Sequence, residues 1–279
     1  MRNPGIYFDI SNADYHAGTW AIGNSGLQLV ADCPALYHGH YLDPQRPSRD
    51  DKESAAQRFG NIAHCALFEF PAYNHRYVVG PDVNKNTNAW KDFVKGLAPG
   101  CMPCDESERA AGLMIRQQAL ADKELREALE HPGGRGETSA YWRDERTGVL
   151  CKCRPDWFMP VGDKACVLFD AKSFATGSAA EFARQAARMG YDFQAAWYTD
   201  GFARATGWNV LAFIHIVISN QWPHPINAVQ LGERSIASGR IKYRRALDTY
   251  AECLRTGIWP GYAPGIKLVE MPNYALEEV

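Results

Sequence analysis

Three residues near the middle of this chain combine into useful chemistry. Asp156 closes the stretch Cys151-Lys-Cys-Arg-Pro-Asp156, and fourteen positions later comes Asp170-Ala171-Lys172. Side chains alternate along a strand, so Asp170 and Lys172 share a face and present a carboxylate and an ammonium to one place. Asp156, expected on the preceding strand, can join them. Two carboxylates begin an oxygen shell for a hard divalent cation such as Mg²⁺ and leave positions for water and a phosphate oxygen. A lysine beside them can orient or deprotonate the attacking water and offset charge on a phosphorane-like transition state. These residue types point to metal-assisted phosphoester hydrolysis. An Asp-x-Lys by itself is more often a salt-bridged strand end. Here Asp170 follows the apolar run Ala165-Cys166-Val167-Leu168-Phe169 and is expected where a buried strand ends, the usual place for catalytic groups.

The surrounding pattern predicts the elements that position these groups. Residues 1–50 are rich in Gly, Pro, Asn and Asp with short aromatic islands, and read as an arm of turns and short helices. Apolar residues at helical spacing (Phe59, Ala63, Ala66, Leu67 and Phe70) predict a helix over 54–70, with His64 on it. Residues 84–104 read as a connection, and 106–129 as a second long helix, stopped by His131-Pro132-Gly133-Gly134. Strands are expected at 138–143, 149–158 and 165–171 as consecutive hairpins, with Asp156 in the second and Asp170-Ala171-Lys172 at the end of the third. A helix over 179–205, a strand over 208–219, a helix over Glu233–Thr256 and a Pro/Gly-rich tail complete the chain. This order predicts an α/β fold, a central mixed sheet flanked by helices with a helical N-terminal elaboration. It also predicts one domain over 1–279: arm 1–50, helical part 51–131 and catalytic core 137–260.

Bulk properties limit the alternatives. With 279 residues, 46% of them hydrophobic, the chain can bury a large core. A formal net charge of -2 excludes a global positive field, so contact with nucleic acid must come from a local basic surface. The N-terminus lacks the pattern of a secretory signal, and a cytoplasmic location is expected. The apolar run 210–218 is too short for a membrane span, is interrupted by His215, and reads as a buried strand. The eight cysteines are expected as reduced thiols. Cys101/Cys104 and Cys151/Cys153 could supply thiolates to a metal, but one intervening residue makes the second pair a poor chelator.

The arrangement of Pro155-Asp156 and Asp170-Ala171-Lys172 resembles the PD-(D/E)XK nuclease motif. Five blocks in order, Gly5 through His16, Phe59 through His64, Glu137 through Trp142, Cys151 through Asp156 and Tyr191 through Tyr198, resemble the C-terminal nuclease domain of the RecE-type phage exonucleases, the exodeoxyribonuclease VIII family. The resemblance spans nearly the whole chain and implies a RecB-like member of the PD-(D/E)XK superfamily. It implies that His64, Asp156 and Asp170 hold the metal with the Ala171 carbonyl, that Glu137 serves a second metal or only begins a strand, and that Lys172 is the catalytic lysine. Mg²⁺ is the implied cofactor, with Mn²⁺ able to substitute because an imidazole suits softer cations. Gln194 and Tyr198, four apart on a helix, match a Gln-x-x-x-Tyr motif beside the catalytic centre and are expected to contact the phosphate backbone or the lysine. Relatives usually carry Asp-x-Lys-Thr-Thr; here Ser173-Phe174 keeps one hydroxyl and loses the next. Arg154 and Ser173 are expected near DNA. Arg184, Arg188, Arg240, Lys242, Arg244 and Arg245 are candidates to line a DNA channel.

The function so implied is a double-strand exonuclease that resects free DNA ends 5′ to 3′ and leaves a 3′ tail for a single-strand annealing protein of the RecT-like kind. The implied setting is phage or prophage recombination, with a ring-like homo-oligomer and no membrane. Two other classes compete. A helicase-associated or iron–sulfur nuclease usually carries a cysteine cluster downstream of the catalytic centre, where this chain has only Cys253. A catalytically dead DNA-binding protein of the same fold would be expected to have lost one of His64, Asp156, Asp170, Lys172 or Gln194.

Overall fold

The computed structural model describes residues 2–47 and 53–271. Positions 48–52, which close the expected arm and open the helical part, lie outside the described residues, as do residue 1 and the end of the tail from 272. In chain order the elements are β1 (Gly5–Tyr7), α1 (Asn12–Ala17), α2 (Asn24–Asp32), α3 (Pro34–Tyr41), α4 (Ala55–Phe68), α5 (Phe70–Arg76) and β2 (Tyr77–Val79). Next come α6 (Asn88–Lys95), β3 (Met102–Cys104), α7 (Glu106–Ala121), α8 (Lys123–Leu129), β4 (Arg135–Gly136), β5 (Ser139–Arg143), β6 (Leu150–Cys153), β7 (Trp157–Val161) and β8 (Ala165–Phe174). The last are α9 (Ala179–Met189), α10 (Tyr191–Thr206), β9 (Asn209–Ser219), β10 (Ile226–Gln230) and α11 (Glu233–Thr256).

A five-stranded sheet has the order β10-β9-β8-β7-β4, and a separate three-stranded sheet the order β1-β5-β6. In the larger sheet β8 and β9 run parallel while β7 and β8 run antiparallel. A parallel pair needs a long crossover, and α9 with α10 supplies it. Both faces of this sheet are covered. Leu168, Phe158 and Phe213 pack with Phe193, Trp197 and Leu247 on one side. Phe169, Ile216 and Ile218 pack with Ala63, Leu67, Ile115 and Leu125 on the other. Core on both faces explains why the entry to β8 is apolar at consecutive positions. The architecture is α/β, a mixed sheet flanked by helices. Among the described residues, no helix is long and apolar enough to cross a membrane.

Several expected elements divide, each for a local reason. The strand expected over 149–158 breaks at Arg154-Pro155-Asp156: β6 joins the small sheet and β7 the large one. Pro155 has no N–H to give a ladder, so pairing stops there. Asp156 therefore lies between strands, and the two hairpins belong to different sheets. Strand β8 runs on to Phe174, so Asp170 and Lys172 lie inside it and not at its end. The helix expected over 179–205 turns at Gly190, whose φ of 68° is readily adopted by glycine. The helix over 106–129 breaks at Asp122, whose side chain accepts from the Leu125 N–H and starts α8. The connection 84–104 contains α6, capped by Thr87, and β3.

Candidate active site

Helix α4 begins with a capping box between Ser54 and Gln57. It buries Ile62, Ala63, Ala66 and Leu67, which turns His64 towards a cleft of about 830 Å³. Glu137 enters from the link between β4 and β5 with a φ of 53°, a region that non-glycine residues seldom occupy. Its N–H donates to the Asp156 carbonyl oxygen at 3.1 Å, which ties that backbone to the break at Pro155. His64 Nε2 lies 2.9 Å from Glu137 Oε1 and 3.7 Å from Asp156 Oδ1. One ligand atom from each of the three residues lies within 4.8 Å of the others.

Strand β8 joins this cluster to the rest of the site. The Ala171 N–H donates to Asp156 Oδ2 at 2.8 Å, and Asp170, 3% exposed, lines the same cleft. Gln194 Nε2 of α10 donates to Asp170 Oδ1 at 2.7 Å, and the Lys172 ammonium pairs with Asp170 Oδ2. Lys172 Nζ also lies 5.0 Å from the Tyr191 ring centre. Tyr198, one turn beyond Gln194, lines the cleft.

The charges are set by these contacts. Burial disfavours the His64 cation, but hydrogen bonds and attraction from Asp156 and Glu137 outweigh it and push the imidazole up to about 10. Burial likewise favours a neutral Asp156, yet His64, Lys172 and the Ala171 N–H hold its carboxyl below the usual range. Burial pushes Asp170 up, and the neighbouring Asp156 adds to it. Burial opposes the Lys172 cation, while Asp170 and Asp156 raise it further, so the side chain is an ammonium at neutral pH. An imidazole with two carboxylates, carrying only a proton between them, is a donor set that suits a divalent cation such as Mn²⁺ or Mg²⁺.

The fold thus gathers His64, Glu137, Asp156, Asp170, Ala171, Lys172, Gln194 and Tyr198. Gln194 contacts Asp170, where a contact to phosphate or to the lysine was expected. Arg154 lines the cleft but is buried, and its guanidinium donates to Ser139 Oγ, Glu137 Oε2 and the Ile10 carbonyl oxygen. That makes it a support for Glu137. Ser173 faces α4 opposite Gly60. The other basic candidates stay outside the cleft. Arg184 pairs with Glu181 and Arg188 is exposed on α9, while Arg240, Lys242 and Arg244 tie α11 to Asp200, Asp192 and Asp144. Arg245 is exposed. The cleft also contains Tyr15, His16, Glu69 and Arg76, to which sequence reasoning gave no role. Glu69 Oε1 lies 3.8 Å from His64 Nδ1 and is held by Arg76. Glu69 follows the end of α4, where spacing carries no sign of a site. All eight cysteines are free thiols, and none joins a three-ligand group among the described residues.

Comparison with known proteins bears on the family and the fold. No curated protein sequence matches the chain. The fold resembles the crystal structure of a Eubacterium rectale protein named as a candidate exonuclease, with a TM-score of 0.59 at 14% identity, covering 95% of this chain and 96% of that one. Residues 23–272 match the model of a family described as a PDDEXK-like domain of unknown function (DUF3799). The chain belongs to that family, and its fold is the PD-(D/E)XK fold.

Proposed function

We propose that this protein is a divalent-metal-dependent nuclease, and within that class a double-strand DNA exonuclease of the exodeoxyribonuclease VIII type. The observation that carries the reading is the convergence of His64, Glu137 and Asp156 beside the Asp170–Lys172 pair on β8. The name of the Eubacterium rectale structure accords with it. His64, Glu137 and Asp156, with Asp170 adjacent, are the groups that would hold Mg²⁺ or Mn²⁺, which when bound supplies Lewis acidity and an activated water. Lys172, kept charged by Asp170 and Asp156, balances charge that builds on the phosphoryl oxygens and orients the attacking water. Gln194 holds Asp170, and the Ala171 N–H holds Asp156, so both carboxylates are fixed before substrate arrives. Resection in the 5′ to 3′ direction, a role in phage recombination and delivery of the 3′ tail to an annealing protein belong to this reading through the family resemblance.

The test incubates linear, nicked and covalently closed duplexes with Mg²⁺ or Mn²⁺ and resolves end-labelled products by size. Linear duplex is degraded from its ends to short 5′-phosphorylated products with a lagging 3′-ended strand, and closed circles persist. Excess EDTA abolishes cleavage; full activity in EDTA would overturn the metal reading. Efficient cutting of closed circles would make the protein an endonuclease of the same fold.

A further inference from the structure

The two nitrogens of the His64 ring face different carboxylates. Nε2 meets Glu137 and Asp156, whereas Nδ1 faces Glu69, whose Oε1 lies 3.8 Å away. Glu69 stands at the corner where α4 ends and α5 begins. Its N–H donates to the Cys65 carbonyl oxygen at 3.0 Å, and its own carbonyl oxygen accepts from the N–H groups of Ala72 and Tyr73 at 2.8 and 2.9 Å. The backbone is therefore held on both sides of the corner.

The side chain is held as well. Arg76, at the end of α5, grips the Glu69 carboxylate with both ends of its guanidinium, Nη1 to Oε1 at 3.1 Å and Nη2 to Oε2 at 2.7 Å. Nη1 also donates to Cys65 Sγ on α4 at 3.4 Å. A fork of this kind fixes the plane of a carboxylate as well as its place, and Oε1 keeps capacity to accept a second hydrogen bond. Glu69 and Arg76 both line the active cleft. The converging ligand group is His64, Glu137 and Asp156 without Glu69, which stands at the other nitrogen of the ring.

An imidazole that offers Nε2 to a cation is neutral and carries its remaining proton on Nδ1. That N–H needs an acceptor if the ring is to keep one orientation, and a carboxylate commonly serves. We propose that Glu69, braced by Arg76, is the positioning residue for His64: it accepts a hydrogen bond from Nδ1–H and so fixes the tautomer that leaves the Nε2 lone pair free for a divalent cation. The present 3.8 Å belongs to a ring whose Nε2 lies 2.9 Å from Glu137; a shift of about 0.8 Å brings the pair to hydrogen-bond length. This role rests on the metal-dependent reading of the cleft.

Glu69→Gln keeps the shape of the side chain and reverses its hydrogen bonding. The Arg76 fork claims the amide oxygen, which turns the NH₂ towards Nδ1 and favours the proton on Nε2, where it blocks a metal. Calorimetric titration with Mn²⁺ in the absence of DNA compares wild type, Glu69→Gln, His64→Ala and the double variant. Glu69→Gln weakens Mn²⁺ binding at least about tenfold. In the His64→Ala background the same change weakens it by less than about threefold, because only the charge of Glu69 is then lost. Wild-type affinity in Glu69→Gln, or an equal loss in both backgrounds, overturns the proposal, since charge or packing alone would act without His64. Where Glu69→Gln does not fold, Glu69→Asp, one methylene shorter, draws the carboxylate back from Nδ1 and weakens Mn²⁺ in the same sense. Where His64→Ala binds no Mn²⁺, the ring nitrogens decide. Long-range proton–nitrogen NMR of the Mg²⁺-saturated protein, with His64 assigned by its loss in His64→Ala, shows the proton on Nδ1 in wild type and a changed state in the Glu69 variant. A proton on Nε2 in wild type, or the same state in both, overturns the role. Wild-type protein that binds neither Mn²⁺ nor Mg²⁺ refutes the metal reading and the proposal with it, an outcome distinct from metal binding that ignores Glu69.

Discussion

Gln194 Nε2 donates a 2.7 Å hydrogen bond to Asp170 Oδ1, linking the first turn of α10 to the middle of β8. The second oxygen of Asp170 meets Lys172. A buried carboxylate that loses such a donor is free to rotate and to take up a proton. Gln194→Ala is expected to lower turnover or metal affinity by about 10–100-fold, the usual range for a residue that orients a ligand, with the unfolding temperature little changed. Steady-state kinetics together with Mn²⁺ titration checks this; turnover within twofold of wild type would remove the positioning role.

Lys172 and Asp156 separate by function. Lys172→Ala is expected to reduce cleavage by at least about 10²-fold, the range for loss of one group that stabilises transition-state charge, while Mn²⁺ still binds. Asp156→Asn should weaken Mn²⁺ binding as well, because Asp156 belongs to the converging ligand group. Calorimetry and cleavage assays on the two variants give the comparison. Near-normal turnover in Lys172→Ala would reduce Asp-x-Lys to a structural ion pair.

His215 supplies a pH-dependent stability. It is fully buried on β9 among the rings of Phe182, Tyr191 and Phe213. Burial, then repulsion from Lys172, hold it down to about 3, against 6.5 in the unfolded chain. The folded state therefore binds fewer protons: the contribution is complete above pH 6.5 and is lost as pH falls from there towards 3, at up to about 1.4 kcal/mol per unit. Denaturant unfolding of wild type and His215→Leu between pH 7 and 4.5 isolates the effect. Parallel curves for the two proteins would contradict it.

Gly239 marks the crossing of α11 on α10. A Cβ there would fall inside contact distance of the Asp192 carbonyl oxygen, which is backbone and cannot swing away. Gly239→Ala is expected to destabilise by about 1–3 kcal/mol, as overpacking of a tight site does. Thermal unfolding measures it, and an unchanged midpoint would show that the two helices can separate without loss.

Much of this site was legible because its residues carry their own chemistry. Asp156, Asp170 and Lys172 stand out by type and by the apolar run before them, and alternation placed Asp170 and Lys172 together as found. His64, Gln194 and Glu137 needed the family resemblance, since one histidine on a helix has no distinguishing spacing. The break at Pro155 was hidden inside a run of β-prone residues, although its missing N–H was there to read. For the basic residues of α11 the sequence shows charge without showing the carboxylates of Asp200, Asp192 and Asp144 that meet Arg240, Lys242 and Arg244. Tyr15, His16 and Glu69 reach the cleft through tertiary packing alone.

The site draws on α4, the link after β4, the break before β7, β8 and α10, and β9 is the parallel neighbour of β8. During synthesis from the N-terminus, His64, Glu137, Asp156 and Asp170 are therefore all made before Gln194 can hold Asp170 and before residues 209–219 can complete the sheet. Loop closure over such separations is slow relative to local helix formation. A nascent or truncated chain ending before β9 carries every metal-ligand candidate yet lacks the scaffold that aligns them, so the order of translation itself delays any hydrolytic competence until most of the polypeptide exists.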